Sequence, residues 1–306
     1  PVGASVMVAL LGIVTVYMIA KIGEEFFSKT AGYIAALLYA LSPVVIVYSR
    51  SSWNPNVIPF FALATMYSLY KAVEKKYVGL FLLTGFLFGI DIQLHYKELF
   101  LGPMIIIYVI AMYIRVFQKQ FYGKRLFQIV RDGSAILAGF LLGFSPFLAF
   151  EVRHGFLNTK SILEFIFSSG ETGASTNYGM TVWDVFIRLF GRLLLNTPLP
   201  NDFKFYDSPT LTIWYVGSIG FALTAVLYLI FRYKKSFADI RKYMQMSLLL
   251  FWLVIGVLFF GLYKKNIYDY YFAFLFPIPF LLLGGLLADA FTNKLLPFKN
   301  RWLQYV

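Results

Sequence analysis

The sequence predicts an all-α fold, a polytopic bundle of transmembrane helices, and three observations predict it. Of the 306 residues, 59% are hydrophobic and 14% charged, where soluble domains carry roughly 45–50% and about 25%. The mean hydropathy is +0.71. The apolar residues come in continuous runs rather than in alternation, which suits spanning helices and not a β-barrel.

A span needs about 20 apolar residues, with a range of about 17–25. Runs at 4–20, 31–48, 57–70, 78–94, 99–113, 134–150, 211–231, 246–262 and 270–288 predict about nine spans within a transmembrane domain at 1–290. Phe (34) and Tyr (22) are abundant, as expected of helices with aromatic ends at the lipid–water boundary. Gly85-x-x-x-Gly89 and Gly139-x-x-x-Gly143 are small-residue faces that let helices approach closely. Pro43, Pro146, Pro277 and Pro279 predict kinks or breaks.

Charge sets the orientation. Alternating the spans puts two thirds of the 27 Lys and Arg on one side, and that side is cytoplasmic. The same bias accounts for the net charge of +12 without a nucleic-acid partner. Pro1 then starts outside, and the 291–306 segment is cytoplasmic and leads into a further apolar run. Both ends predict a fragment of a longer chain. The chain has no cysteine, which excludes disulfides and thiolate metal sites.

The one long loop, 151–210, falls outside. In it Trp183, Phe186, Phe190, Leu193 and Leu194 share one helical face, while Asp184, Arg188 and Arg192 step by four along another. This predicts an amphipathic helix lying in the outer interface. The Gly/Ser/Thr-rich stretch 168–180 reads as a mobile connector or a lid.

Polar residues gather at the external ends. The 49–56 turn supplies Arg50, Trp53, Asn54 and Asn56; the next connections supply His95, Tyr96, Lys97 and Glu98, then Glu151, Arg153 and His154, then Lys264, Lys265, Asp269 and Tyr270. Asp91 lies inside a span, where a carboxylate costs roughly 2.5–3.5 kcal/mol on insertion scales. With His95 and Glu98 it has i, i+4, i+7 spacing and shares one helical face. Three readings of that stripe stand side by side. Asp91, His95 and Glu98 could hold a divalent cation as a cofactor; they could belong to a structural polar network; or they could be acids of a substrate site. In the last case Arg50, His95, Lys97, Arg153, Lys264 and Lys265 would neutralise phosphate, and Asn, Asp and Trp would meet sugar hydroxyls and ring faces. No Gly-x-Ser-x-Gly, phosphate-cradling Gly-rich loop or His-Glu-x-x-His occurs.

Several motifs, in order, resemble those of the protein O-mannosyltransferase-like C-type membrane glycosyltransferases. They are Ala35-Ala36-Leu37-Leu38-Tyr39-Ala40-Leu41-Ser42-Pro43 followed by Tyr48-Ser49-Arg50; Gln93-Leu94-His95-Tyr96 running into Leu101-Gly102-Pro103; Glu151-Val152-Arg153-His154-Gly155-Phe156; and Tyr270-Tyr271-Phe272 with Phe276-Pro277. The resemblance implies an enzyme that takes a sugar from a polyprenyl-phosphate donor and passes it to a protein, lipid or glycan acceptor outside the cytoplasm. It implies a general base in a loop upstream of Pro1, and so no catalytic residue in this chain. It places Arg50, Asn54, Asn56, His95, Lys97, Arg153, His154 and Tyr270 around the lipid phosphate, with Asp91 and Glu98 as further site acids. His95 stands where many members have lysine, and Tyr270 where many have His or Arg. The competing classes are a transporter or flippase of a polar lipid or sugar, which calls for repeats, and a non-catalytic membrane assembly subunit.

Overall fold

The computed structural model describes residues 2–116, 122–167, 177–196 and 208–292. Among these residues the chain is helical with no β-strand. The helices are α1 (Val2–Phe26), α2 (Lys29–Leu41), α3 (Pro43–Tyr48), α4 (Ile58–Lys75), α5 (Val78–Leu94), α6 (Leu101–Val116), α7 (Tyr122–Arg153), α8 (Leu157–Phe167), α9 (Tyr178–Leu195), α10 (Pro209–Lys235), α11 (Ile240–Phe259) and α12 (Pro277–Phe291). Short 3-10 turns at Asn54–Val57, Tyr96–Phe100 and Asp269–Leu275 precede α4, α6 and α12.

All nine predicted runs fall on helices, but they are not equal. Val2–Phe26, Tyr96–Arg115, Leu126–Arg153, Pro209–Ala238 and Ile240–Leu262 are long and apolar enough to cross a membrane. Asp269–Leu275 and Pro277–Phe291, bent by 55°, make a sixth if taken together. The remaining runs are shorter or more polar. The 31–48 run splits at Ser42, which caps α2 and α3 at once. Its Oγ accepts from the Val45 N–H at 3.4 Å and donates to the Leu193 carbonyl of α9 at 2.7 Å. Pro43 then starts α3 where it has no helical N–H to lose. Pro277 opens α12 in the same way, whereas Pro146 sits within an unbroken α7.

The glycine faces do what their spacing predicts, and they do it to each other. A Cβ on Gly85 would run into the Ile136 carbonyl, and one on Gly139 into the Leu82 carbonyl. Gly89 and Gly143 meet Phe140 and Phe86 backbone in the same manner. So α5 and α7 pack backbone to backbone, and Gln93 Nε2 ties their ends by donating to the Gly143 carbonyl at 2.7 Å. On the other side of the bundle α2 packs on α12, with Gly284 against the Ala31 backbone.

The 151–210 loop holds two helices, α8 and α9, and residues 168–176 of the expected connector lie outside the described residues, as do 293–306 of the C-terminal segment. α9 is amphipathic but does not turn its arginine side to water. Val185, Ile187, Leu189, Phe190 and Leu193 are buried, and so is Arg188, at 6% exposure. The helix is wedged between α10 and the chain segment before α12, which carries the acid that Arg188 binds.

Candidate functional site

Three of the four predicted polar connections meet at one end of the bundle. α5 stops at Leu94 because His95 leaves the helix, at φ −161° and ψ 132°. Its Nδ1 accepts from the Lys97 N–H at 3.2 Å, which caps the 3-10 turn that follows. The ring stacks on Tyr96 at 4.7 Å and meets Tyr271 at 5.3 Å and Tyr270, edge-on, at 5.7 Å. Tyr270 in turn packs against Trp53 of the 49–56 turn at 4.4 Å.

Lys97 is the centre of this basin. It is 3% exposed, and its Nζ lies 3.3 Å from the Tyr263 ring centroid, 3.8 Å from that of Tyr271 and 5.3 Å from that of Tyr96. Among the described residues no carboxylate pairs with it. A desolvated cation–π contact is worth about 2 kcal/mol, against a burial penalty of several kcal/mol for an ion. Tyrosine faces alone therefore leave this ammonium short of negative charge.

His95 is held neutral. Burial, with the Lys97 ammonium adding to it, pushes its pKa down to about 4. With Nδ1 accepting from Lys97 N–H, the ring proton sits on Nε2. His95 therefore offers a hydrogen-bond donor, not a positive charge. On its far side His95 and Tyr96 edge a groove of about 490 Å³ between the ends of α5 and α7 and the face of α8, with Phe144, Phe147, Asn158 and Ser161 on its walls.

The remaining predicted residues fall differently. Arg50 and Asn54 are exposed, on the turn whose Trp53 meets Tyr270. Asn56 Nδ2 donates to the Ser51 carbonyl and Oγ, both at 2.8 Å, while its Oδ1 is buried without a partner. Arg153 and His154 do not reach the basin: both are exposed at the end of α7, with the His154 ring stacked on Phe150 at 4.0 Å. Glu151, beside them, caps α8 by accepting from the Asn158 and Thr159 N–H groups at 3.2 and 2.7 Å.

The metal triad is overturned. No group of three His, Asp, Glu or Cys that could hold a metal ion exists among the described residues. The stripe Asp91–His95–Glu98 assumed that α5 runs on through Glu98; it ends at Leu94, and His95 turns to cap the next turn instead. Asp91 and Glu98 are both fully buried, and all four of their oxygens lack a hydrogen-bond partner.

The sequence reading missed Tyr263, Tyr268 and Tyr271, the rings that close the basin with Tyr270. Their signal was the density of tyrosine in 263–271. It also missed what Asp269 binds: Arg188 and Arg192 of α9.

Residues 2–148 match the family described as dolichyl-phosphate-mannose-protein mannosyltransferase. The match covers just under half of the chain and takes in the motifs at 35–50 and 93–103, while those at 151–156 and 270–277 lie beyond it. A Bacillus subtilis (strain 168) protein named "Putative mannosyltransferase YycA" is 28% identical over 176 residues, 56% of this chain. The match covers 25% of that protein, so the chain spans about a quarter of the length of the curated relative it matches. No solved structure matches. The mannosyltransferase-family region contains Trp53, His95, Tyr96 and Lys97, whereas Tyr263–Tyr271 and α9 come from beyond it.

Proposed function

We propose that this chain is part of a membrane glycosyltransferase and that the basin around Lys97 receives the phosphate of a polyprenyl-phosphate sugar donor. The observation that carries the reading is a buried lysine in the family-matched stretch, with no carboxylate partner among the described residues and with the Tyr263 and Tyr271 rings from beyond that stretch packed over it. An anion entering such a site supplies the missing charge, and the low dielectric around it magnifies the attraction. Lys97 then stabilises the phosphate as the sugar leaves. Neutral His95 donates from Nε2, and Arg50 approaches from the exposed rim. Trp53 and Tyr270 present ring faces to the sugar.

The reaction is displacement at the anomeric carbon: the acceptor oxygen bonds to it, the bond to the phosphate oxygen breaks, and a general base takes the acceptor proton. Asp91 and Glu98 are fully buried behind the basin, and neither is assigned that role. The basin faces away from the cytoplasm of a bacterial plasma membrane, by the Lys/Arg bias of the opposite loops. The acceptor is a protein, lipid or glycan on that side.

The test is transfer from radiolabelled mannosyl-phosphoryl-polyprenol in membranes bearing the intact protein. Lys97→Met, His95→Ala and Arg50→Ala are expected to reduce donor turnover with the protein still folded. Unchanged turnover in all three removes the site. Ser52→Cys and Lys75→Cys, in a chain with no cysteine of its own, test the sidedness. An impermeant maleimide added to whole cells is expected to label the first and spare the second.

A further inference from the structure

We infer that Arg188 and Arg192 of α9 are positioning residues that hold the tyrosine wall of the basin in place through Asp269. This rests on the basin being the donor site.

Asp269 opens the 3-10 stretch Asp269–Leu275, and the next two residues are Tyr270 and Tyr271. These carry the wall: Tyr270 against Trp53 and His95, Tyr271 against His95 and Lys97. The backbone leading to them, 264–268, is neither helix nor strand. Something else must fix its course.

α9 does so at consecutive points. Arg188 donates from Nε and Nη2 to Asp269 Oδ1 at 3.1 and 2.6 Å, and from Nη1 to the Ile267 carbonyl at 2.8 Å. Arg192 Nε takes the other oxygen, Asp269 Oδ2, at 2.5 Å. One carboxylate gripped at both oxygens by two arginines cannot rotate, and a carbonyl held two residues earlier fixes the approach. Arg188 is itself oriented, one helical turn back, by Asp184 Oδ2 at 3.0 Å, and its guanidinium lies 5.4 Å over the Phe272 ring. Arginine suits this task because its planar fork reaches several acceptors at fixed angles, which lysine cannot. The same end of α9 is pinned from the other side, by Ser42 on the Leu193 carbonyl next to Arg192. The C-terminal half of α9 is therefore held between the α2–α3 break and the stretch that carries the basin wall.

The consequence is a role separable from bulk stability. Loosening Asp269 lets Tyr270 and Tyr271 drift from Lys97, and a misplacement of about 1 Å can cost on the order of 100-fold in rate. Spin labels at Ser52→Cys and Asn266→Cys in the intact protein in nanodiscs read the wall directly, since these 306 residues hold no other cysteine and any outside them is replaced by serine. Arg192→Gln and Asp269→Asn are expected to broaden the label-to-label distance distribution and to lower kcat/KM for mannosyl-phosphoryl-polyprenol about 10–100-fold, mainly through KM. Asp269→Glu is expected to recover part of both losses. Lys21→Ala, at an exposed ion pair on another helix, serves as the unchanged control. If Asp269→Asn does not accumulate, Arg192→Gln and Arg188→Lys are read alone. An unchanged distance distribution in the arginine variants overturns the inference. A broadened distribution combined with undiminished transfer in Lys97→Met keeps the positioning role and overturns the donor site.

Discussion

The two ends of α4 and α11 handle buried polar groups in opposite ways. At one end Glu25 of α1 accepts from Tyr67 at 2.7 Å, from Lys71, and from Arg241 at 2.9 Å; Glu74 accepts from Lys71 at 2.8 Å and from Tyr70 at 3.0 Å. Gln245 Nε2 donates to Tyr70 at 3.0 Å. Acids, bases and hydroxyls there are matched one to another across α1, α4 and α11. At the other end, among the described residues, Lys97 has no acid and Asp91 and Glu98 have no donor, and His95 is held neutral. A matched cluster joins helices and leaves nothing to bind with. An unmatched one costs stability and persists where something else completes it. The difference suits bundle assembly at the first end and the proposed donor binding at the second.

The largest expected effect tests the matched end. Glu25→Ala strands Lys71, Tyr67 and Arg241 together. Breaking a buried pair costs about 3–5 kcal/mol; with Glu25 at 16% and Arg241 at 57% side-chain exposure, solvent screening brings the expectation toward the lower figure. Thermal unfolding in detergent measures it, and donor turnover by the protein that remains folded is expected to stay near normal. A variant that folds normally but loses turnover would reverse the assignment of the two ends.

Next comes Lys97→Met, which keeps the shape of the side chain and removes its charge. Turnover is expected to fall on the order of 100-fold, as for loss of one preorganised charge-stabilising donor. The melting temperature is expected to hold or rise, since no carboxylate loses a partner. A large loss of stability with retained turnover would make Lys97 a structural group and remove the contrast.

Much of this was legible in the sequence, for reasons tied to local spacing. Hydrophobic run length located the long apolar helices but not α8, and the Gly85/Gly89 and Gly139/Gly143 spacing marked two close-approach faces because a missing Cβ is a local property. The grouping of polar residues is matched in part: Trp53, His95, Lys97 and Tyr270 meet at one end of the bundle, whereas Arg153 and His154 lie apart from them. What failed depended on where a helix stops or what lies opposite it. The Asp91–His95–Glu98 stripe needed α5 to continue, and a histidine in extended conformation ended it. The step of four in Asp184, Arg188 and Arg192 was correct, but spacing alone does not distinguish water from Asp269 as the facing partner. The tyrosines around Lys97 lie far along the chain from it, and no periodicity connects them.

The unpartnered acids give a smaller effect. Glu98→Met and Asp91→Val remove buried carboxyl groups whose oxygens bond to nothing among the described residues. Replacing an unsatisfied buried polar group by an apolar one of similar size is neutral or stabilising, here by about 1–2 kcal/mol. Thermal unfolding again reads it. A loss of stability of that size would show that the pair is completed by a bound ion or water, and would make the basin end more matched than the contacts show.

The smallest expected effect is a pH dependence that belongs to the basin end alone. His95 has an ordinary value of 6.5 and is pushed down to about 4 in the fold. Between those values the folded protein binds fewer protons than the unfolded chain, so the contribution of His95 is fully present above about 6.5 and is lost as pH falls toward 4. Carboxylates titrating in the lower part of that range obscure this in one protein, but not in a difference between two. His95→Asn keeps an acceptor where Nδ1 caps the Lys97 N–H and removes the titration. The gap in melting temperature between wild type and His95→Asn is expected to shift against the wild type as pH is lowered from about 7 to 4.5. A gap that stays constant with pH would mean that the ring is not held neutral by burial in the basin. His95 would then be free to meet phosphate as a cation, adding a positive charge to those of Lys97 and Arg50 in the proposed donor site.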